Sequence, residues 1–234
     1  IAKELGSQKI LQITYNKSLK FEVREKTKTM SIDNLTIHTY HSLAVCYYSC
    51  TAHVDNEIKK IVINNKEPNR KIPTFDMIVI DEAQDMTLLY YQLIIKFIKD
   101  IGSPIQLLIL GDYMQGLYEF KGSDIRFLTL AELIWKEHPC LRTQQFQKCT
   151  MKMSYRITNQ MSNFVNNAML GEQRMGACRD DAPVQYIRNS RFNIERIVCA
   201  EINKLFSQGV KPSDIFILGP SVKGERSNIR KLEN

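Results

Sequence analysis

Hydrophobic positions along the chain alternate between short apolar runs and longer stretches with helical spacing. Apolar runs of strand length lie at residues 10–15, 35–40, 77–80 and 105–110. Helical patterns follow them at residues 18–28, 43–48 and 88–101. The run at 77–80 is continuously apolar, as in a strand that is buried on both faces of a parallel sheet. Strands that alternate with helices predict βαβ units, and therefore an α/β fold with a doubly wound parallel sheet.

The remaining segments carry weaker patterns. Residues 1–6 are predicted to be the last turns of a helix that ends at a glycine, so the chain is expected to start partway through a domain. Residues 49–73 are predicted to be a polar connector. Two later helices and a final strand are predicted at residues 157–169, 194–205 and 215–218.

Composition narrows the class of protein only a little. Hydrophobic residues make up 44% and charged residues 24% of the 234 positions, so a folded core is expected. The net charge of +7 mildly favours a polyanionic partner, although a solvated cationic surface explains it equally well. The six cysteines lack CxxC spacing, so we expect buried thiols. Without a signal peptide or an apolar run of membrane length, we expect an intracellular protein, in cytoplasm or nucleus, with no membrane partner.

The apolar run at 77–80 ends in adjacent acids, and residues 78–85 read IVIDEAQD. Carboxylates at the carboxyl end of a buried strand are typical of the Walker B site of a nucleotide hydrolase. In such a site Asp81 would hold Mg²⁺ through its water shell, and Glu82 would act as general base on the attacking water. A strand that runs into an acidic turn or a helix N-cap would read the same way, and this segment alone favours neither interpretation.

A second apolar strand opens into a polar loop, and residues 108–122 read LILGDYMQGLYEFKG. Together the two segments resemble motifs II and III of the superfamily 1 helicases of the UvrD/Rep/PcrA family, which read DEAQD and GDxxQxIYxFRG. Lys121 stands where the family has arginine. Residues 13–17 resemble motif Ia, residues 36–43 motif Ib and residues 153–158 motif IV. The resemblance extends over roughly residues 1–220 and is strongest at motifs II to IV.

The resemblance implies an ATP-dependent DNA helicase or translocase that uses ATP and Mg²⁺. Residues 1–140 would be part of the first RecA-like P-loop motor domain, 1A, and residues 141–234 part of the second, 2A. The 1B insertion of the family is largely absent, because few residues separate His41 from Asp81. The partner would be single-stranded DNA or a junction of single and double strand, with RNA as an alternative, and the 3′→5′ direction rests on analogy alone.

The resemblance also assigns roles on the nucleotide side. Gln115 would sense the γ-phosphate and link it to DNA. Tyr155 would cover the adenine, and Arg156 would be an arginine finger that stabilises the charge of the transition state. A surface arginine at a helix start is the alternative interpretation of Arg156.

On the DNA side, Tyr118 and Phe120 would stack against bases, a contact that tolerates any sequence. Lys121 would make a weaker contact than arginine because it lacks the planar fork. Phosphate and sugar contacts would come from motifs Ia and Ib through Tyr15, Asn16, Thr39 and His41. Core packing is the alternative for the two aromatic residues, and capping at strand ends is the alternative for motifs Ia and Ib.

The sequence contains no GxxxxGK followed by Ser or Thr, the P-loop that cradles phosphates. Motifs V and VI are also missing, so we expect a fragment of a helicase that is inactive in isolation. One alternative is a non-hydrolysing nucleic-acid-binding or regulatory remnant, against which the intact Asp81, Glu82, Gln115 and Arg156 argue. Another P-loop ATPase, such as a transporter subunit, is a second alternative, and the GDxxQ loop disfavours it.

Overall fold

The computed structural model describes residues 1–136, 138, 141, 145–189, 194–219 and 229–230. The chain forms two compact units, which we call unit 1, residues 1–148, and unit 2, residues 149–234. We predicted a division between residues 140 and 141. The assignment of the units to domains 1A and 2A remains a prediction.

Unit 1 contains a sheet of four strands that all pair in parallel. In chain order the strands are β1 (Ile10–Thr14), β2 (Leu35–Thr39), β3 (Met77–Ile80) and β4 (Gln106–Ile109). Their order across the sheet is β2-β1-β3-β4. Because parallel strands point the same way, their carboxyl ends meet at one side of the sheet, which we call the carboxyl edge. The predicted parallel α/β fold is confirmed.

Helices follow or separate these strands. They are α1 (Lys17–Thr29), α2 (Tyr40–Tyr47), α3 (Asp55–Ile63), α4 (Leu88–Ile101), α5 (Arg126–Thr129) and α6 (Ala131–Trp135). α4 has the predicted bounds because both of its ends are marked in the sequence. The Thr87 side chain accepts a hydrogen bond from the backbone N–H of Tyr90, and Gly102 ends the helix in the left-handed conformation.

The core covers both faces of the sheet. Alternate residues of a strand point to opposite faces, and the residues of β3 fall in two separate clusters. Ile78 and Ile80 belong to the main core with α2, α3 and α4. Met77 and Val79 belong to a smaller cluster with Ile10. The prediction that β3 is buried on both faces is therefore confirmed.

Two predictions in unit 1 are wrong. Residues 1–6 form hydrogen-bonded turns instead of the end of a helix, with the Leu5 N–H 2.9 Å from the Ile1 carbonyl oxygen. The predicted polar connector contains α3. This helix is stabilised by tertiary packing, because Ile58 and Ile61 are buried against the main core while the rest of its surface is polar.

Unit 2 contains two short strands and two helices within its described part. The strands β5 (Met153–Ser154) and β6 (Gly176–Ala177) pair in parallel. The helix α7 (Asn159–Phe164) continues into a π-helical turn at Val165–Leu170. The last helix is α8 (Ile194–Ser207).

The strand predicted at residues 215–218 is wrong, since this segment is irregular. Phe216 is 86% and Leu218 is 91% exposed. A strand needs a neighbour that satisfies its backbone groups, and none of the described residues pairs with this segment.

Two further expectations concern surfaces. No helix within the described residues has the length and the apolar character that a membrane crossing requires. The cysteines that the structure describes are unpaired, and all except Cys46 are exposed. The prediction of buried thiols is therefore wrong for the four exposed cysteines. Cys46 is partly buried against the main core, and Cys140 lies outside the described residues.

Candidate functional site at the carboxyl edge

Asp81 follows β3 directly at the carboxyl edge. Its backbone N–H donates to the carbonyl oxygen of Ile13 at 2.8 Å, which extends the pairing with β1. One carboxylate oxygen accepts from Gln12 Nε2 at 2.9 Å, and the other accepts from the Glu82 N–H at 3.1 Å. Burial and the adjacent Glu82 carboxylate raise the pKa of Asp81, and these two hydrogen bonds oppose that shift.

The raised pKa of Asp81 has a consequence for stability. Its ionised form is less favourable in the folded chain than in the unfolded chain, so Asp81→Asn is expected to raise the thermal midpoint at neutral pH. The cost of ionisation falls as the pH drops through the raised pKa and is absent below the ordinary value of 3.8, so the gain should shrink under acidic conditions.

Thermal unfolding of parent and variant at neutral and mildly acidic pH measures this effect. Asp33→Asn at an exposed position is the control. A lower midpoint for Asp81→Asn at neutral pH would contradict the prediction, because the hydrogen bonds of the carboxylate would then outweigh its burial.

Glu82 has a left-handed backbone with φ 54° and ψ 45°. Residues other than glycine rarely adopt such a conformation, and it costs about 1–3 kcal/mol unless the surroundings hold it in place. The turn leads the chain from β3 into a short 3₁₀ helix at Ala83–Asp85. The Glu82 carboxylate accepts a hydrogen bond from Gln84 Nε2 at 2.5 Å.

Gln84 joins the loop after β3 to the loop after β4. Its side chain is only 2% exposed. While Nε2 donates to Glu82, Oε1 accepts from the Asp112 N–H at 3.1 Å. A backbone bond from the Ala83 N–H to the Leu110 carbonyl oxygen, at 2.9 Å, holds the loops together as well. The sequence analysis did not identify Gln84, although it lies within the DEAQD segment.

Gly111 allows this close approach of the two loops. A Cβ atom at this position would lie 2.5 Å from Gln84 Oε1 and 3.1 Å from the backbone nitrogen of Ala83. Contacts of this length exclude any larger residue unless Gln84 moves. Only glycine therefore fits at the point where the two loops meet, because there is no room for a Cβ atom.

The loop after β4 places Gln115 next to Asp112. One carboxylate oxygen of Asp112 accepts from the Met114 N–H at 3.0 Å, and the other accepts from Gln115 Nε2 at 2.9 Å. A path of hydrogen bonds thus runs from Glu82 through Gln84 and Asp112 to Gln115. Asp81, Glu82 and Gln115, which were predicted to act on nucleotide, lie along this edge of one unit.

Next to this path lies a surface of aromatic residues. The Tyr15 and Tyr118 rings stack with their centres 5.7 Å apart, and Phe120 lies 6.2 Å from Tyr118. Lys121 Nζ is 4.8 Å from the centre of the Tyr118 ring. We call these four residues the aromatic platform. Phe120 is 79% exposed, so it is not packed in the core.

The polar residues of motifs Ia and Ib act locally as helix caps. Asn16 caps α1 by accepting from the Ser18 N–H at 2.8 Å, and its side chain is exposed. Thr39 is 3% exposed and forms a capping box with Ser42 at the start of α2. The predicted contacts of Asn16 and Thr39 with nucleic acid remain predictions, and the capping alternative describes their local role.

His41 adjoins the aromatic platform through Tyr90. His41 Nε2 lies 3.1 Å from Asp55 Oδ1. The Tyr90 hydroxyl donates to the same oxygen at 2.8 Å. The Tyr90 ring lies 6.1 Å from the Tyr15 ring, edge to face. Asp55 and Tyr90 were not identified from the sequence, because their contacts join helices that are distant along the chain.

Tyr155 and Arg156 belong to unit 2. They lie in a bend between β5 and Thr158, which caps α7, and not at a helix start as predicted. Tyr155 is 80% exposed, and Arg156 is also exposed. Within the described residues the Arg156 guanidinium forms no hydrogen bond or ion pair, although its carbonyl oxygen accepts from Arg179 at 2.7 Å. Their roles with adenine and phosphate remain predictions.

The donor groups at the carboxyl edge fit Mg²⁺ that arrives with a nucleotide. Mg²⁺ is commonly bound by one or two carboxylates together with phosphate oxygens and water, and Asp81 supplies a partly buried carboxylate of that kind. Among the described residues no group of three or more His, Cys, Asp or Glu could hold a metal by protein ligands alone. Two buried oxygens at the same edge, Thr14 Oγ1 and Asp85 Oδ1, have no hydrogen-bond partner among the described residues.

Comparison with known proteins identifies a family for the first part of the chain. The family model described as "AAA domain" matches residues 1–121, which is 121 of the 234 residues. This family is found in superfamily 1 helicases of the UvrD/Rep type. The matched segment includes the acidic residues after β3, Gln115 and the whole aromatic platform. No curated protein matches the sequence.

Proposed function

We propose, from the premise that this chain belongs to the AAA domain family, that it is part of an ATP-dependent DNA helicase or translocase of the UvrD type that acts on single strands. The family supports a nucleotide-dependent activity of the P-loop NTPase class. The observation that carries the finer proposal is the path of hydrogen bonds from Glu82 to Gln115, which ends in the same loop as Tyr118 and Phe120.

On the nucleotide side, residues of this chain would bind the metal ion and orient the general base. Asp81, held by Gln12 and the Glu82 N–H, is the residue that would bind Mg²⁺. When ATP is bound with Mg²⁺, it would supply the γ-phosphoryl group that is transferred to water, with ADP as the leaving group. Gln84 Nε2 holds one oxygen of the Glu82 carboxylate. The other oxygen is then positioned to accept a proton from water, the role of a general base.

The loop after β4 offers a physical link between nucleotide and nucleic acid. Gln115 and Tyr118 lie in one short loop that is bounded by two 3₁₀ helices, Tyr113–Gln115 and Glu119–Lys121. A shift of Gln115 towards a phosphate would therefore also move Tyr118 and Phe120 of the aromatic platform. Through such a link, ATP hydrolysis would change the affinity for the strand, as a motor requires.

The exposed Phe120 ring of the aromatic platform suits a single strand, because only an unpaired base can lay its face against it. Stacking does not distinguish one base from another, so binding is expected to be almost independent of sequence. RNA is an alternative partner, since stacking and phosphate contacts do not detect the 2′-hydroxyl.

A second candidate function is a nucleic-acid-binding or regulatory remnant that does not hydrolyse ATP. It shares the aromatic platform with the first proposal but predicts no role for Glu82 in turnover.

Phe120→Ala is expected to weaken the binding of a labelled single-stranded oligonucleotide by about 1–3 kcal/mol, or about 5- to 150-fold. The reason is that the exposed Phe120 ring would no longer be there to stack on a base. Fluorescence anisotropy with oligonucleotides of several sequences measures this effect. Phe21→Ala is a matched control, because Phe21 is 63% exposed on α1, outside the platform.

The proposal fails if Phe120→Ala binds as tightly as the parent. A strong preference of the parent for one duplex sequence would also contradict it, because a helicase grips its strand without reading bases.

A further inference from the structure

Three cationic side chains approach the buried His38 of β2 from different segments. Lys20 and Arg24 lie on α1, and Arg70 lies in the connector after α3. We call Lys20, Arg24 and Arg70 the cationic cluster. Arg24 Nη2 donates to the carbonyl oxygen of Ile37, the residue before His38, at 3.0 Å.

Arg70 is held near His38 by contacts with Cys46 and Tyr47. Its Nε donates to the Cys46 carbonyl oxygen at 2.5 Å, and its Nη2 donates to Cys46 Sγ at 2.7 Å. The guanidinium carbon lies 5.4 Å from the centre of the Tyr47 ring. The Tyr47 ring lies 6.0 Å from the His38 ring. Arg70 is thus oriented by several contacts, although its side chain remains exposed.

Within the part of the chain that the structure describes, no carboxylate is paired with this cluster. Among the described residues none of its three members forms an ion pair. The acids of α1 pair elsewhere, with Lys26 Nζ 2.6 Å from Glu22 and Lys28 Nζ 2.9 Å from Glu25. On the exposed face of α1, lysines and glutamates therefore neutralise each other. Lys20 and Arg24 lie on a second face and have no acidic partner among the described residues.

The crowding of like charges is costly. Burial and the nearby Arg24 lower the pKa of Lys20. Burial, together with the three cations of the cluster, lowers the pKa of His38 to about 4, so His38 is neutral at physiological pH. Cations held around one side chain repel one another and create a positive potential. An anion bound at the cluster would relieve this repulsion.

We propose that the cationic cluster binds backbone phosphates of the same single strand whose bases stack on the aromatic platform. The inference rests on the proposed function. It adds a contact with the strand that lies outside motifs Ia, Ib and III, the motifs to which the sequence analysis assigned contacts with DNA. Guanidinium groups match phosphate oxygens with paired donors, and an ammonium adds a point charge.

The position of the cluster supports a polynucleotide as its ligand. Helix α1 begins at Lys17, directly after Asn16 and Tyr15 at the carboxyl edge. Lys20 and Arg24 lie about one and two turns farther along this helix, which rises about 5.4 Å per turn. Two members of the cluster therefore lie on the helix that directly follows Tyr15 of the aromatic platform along the chain.

Lys20→Glu tests the proposal, and Lys26→Glu is the matched control. Both variants change the charge by the same amount on the same helix, but Lys26 lies on the exposed face and pairs with Glu22. The probe is a labelled oligothymidylate, and its affinity is measured over a series of salt concentrations. For Lys20→Glu the slope of log affinity against log salt should become less steep by about 0.7 for each phosphate that the protein no longer neutralises. For Lys26→Glu the slope should stay at the parental value.

A stability measurement separates binding from folding. A glutamate at position 20 would stand beside Arg24, so the thermal midpoint should be equal to or above that of the parent. Lys20→Gln serves as a second variant without charge reversal and should also reduce the slope.

The inference is overturned if both Lys20 variants keep the parental slope, or if Lys26→Glu reduces it equally. In either case an effect of Phe120→Ala would leave the proposed function standing. If the parent does not bind oligothymidylate at any salt concentration, the inference and the proposed function are both overturned.

Discussion

Glu82→Gln is expected to reduce ATP hydrolysis by a factor of about 10²–10⁴ while nucleotide affinity stays nearly unchanged. The new side chain has the same shape, and its amide oxygen can still accept the hydrogen bond from Gln84 Nε2. The amide cannot accept a proton from water, so only the general base is removed. The remnant alternative expects no such effect.

The measurement requires a motor in which this chain is joined to a segment that contains GxxxxGK followed by Ser or Thr. Phosphate release is followed with and without single-stranded DNA, and nucleotide affinity is measured separately. Glu119→Gln is the control, because Glu119 is an exposed acid in the loop after β4. If turnover of Glu82→Gln stays within a few-fold of the parent, Glu82 is only an acidic turn residue.

Gly111→Ala is expected to destabilise unit 1 by about 1–3 kcal/mol, as in other overpacked sites. The added Cβ would lie 2.5 Å from Gln84 Oε1 and 3.1 Å from the backbone nitrogen of Ala83. The structure can relieve this contact only if Gln84 moves, and the Asp112 N–H is then left without its acceptor. A fall in the thermal midpoint of about 2–4 °C per kcal/mol follows for a unit of this size.

Thermal or urea unfolding of four variants, Gly111→Ala, Gly6→Ala, Gln84→Ala and the double variant of Gln84 and Gly111, checks this prediction. Gly6→Ala is the control, because its Cβ would meet only the Lys3 carbonyl oxygen at an ordinary 3.9 Å. In a Gln84→Ala background the cost of Gly111→Ala should be smaller, because the side chain that blocks the Cβ is gone. Strictly additive effects would show that the two residues do not interact.

Much of the fold could be predicted because burial leaves a direct mark on the sequence. β3 is covered on both faces and is therefore a continuous apolar run, and α4 has a threonine and a glycine at its ends. α3 was missed because its buried face contains few residues, Ile58 and Ile61 among them, in an otherwise polar segment. The apolar run at 215–218 was misassigned because apolar character cannot show whether a partner strand is present.

For the candidate site, the sequence placed Asp81, Glu82 and Gln115 at one edge, since parallel strands end on the same side of a sheet. The role of Gln84 could not be predicted. It depends on the left-handed turn at Glu82 and on the approach of two loops that are distant along the chain. The partner of His41 was missed because Asp55 lies on α3, a helix that was not predicted from the sequence.

The contacts of α3 determine how this part of the molecule opens locally. At one end of the helix Asp55 accepts from the Tyr90 hydroxyl, and beyond its other end Asn65 accepts from Lys96 Nζ at 3.1 Å. Tyr90 and Lys96 both belong to α4, so α3 is fastened to it at both ends. Local opening of α3 therefore breaks both hydrogen bonds to α4, so we expect the amides of α3 to exchange with solvent mainly in fluctuations that separate the two helices.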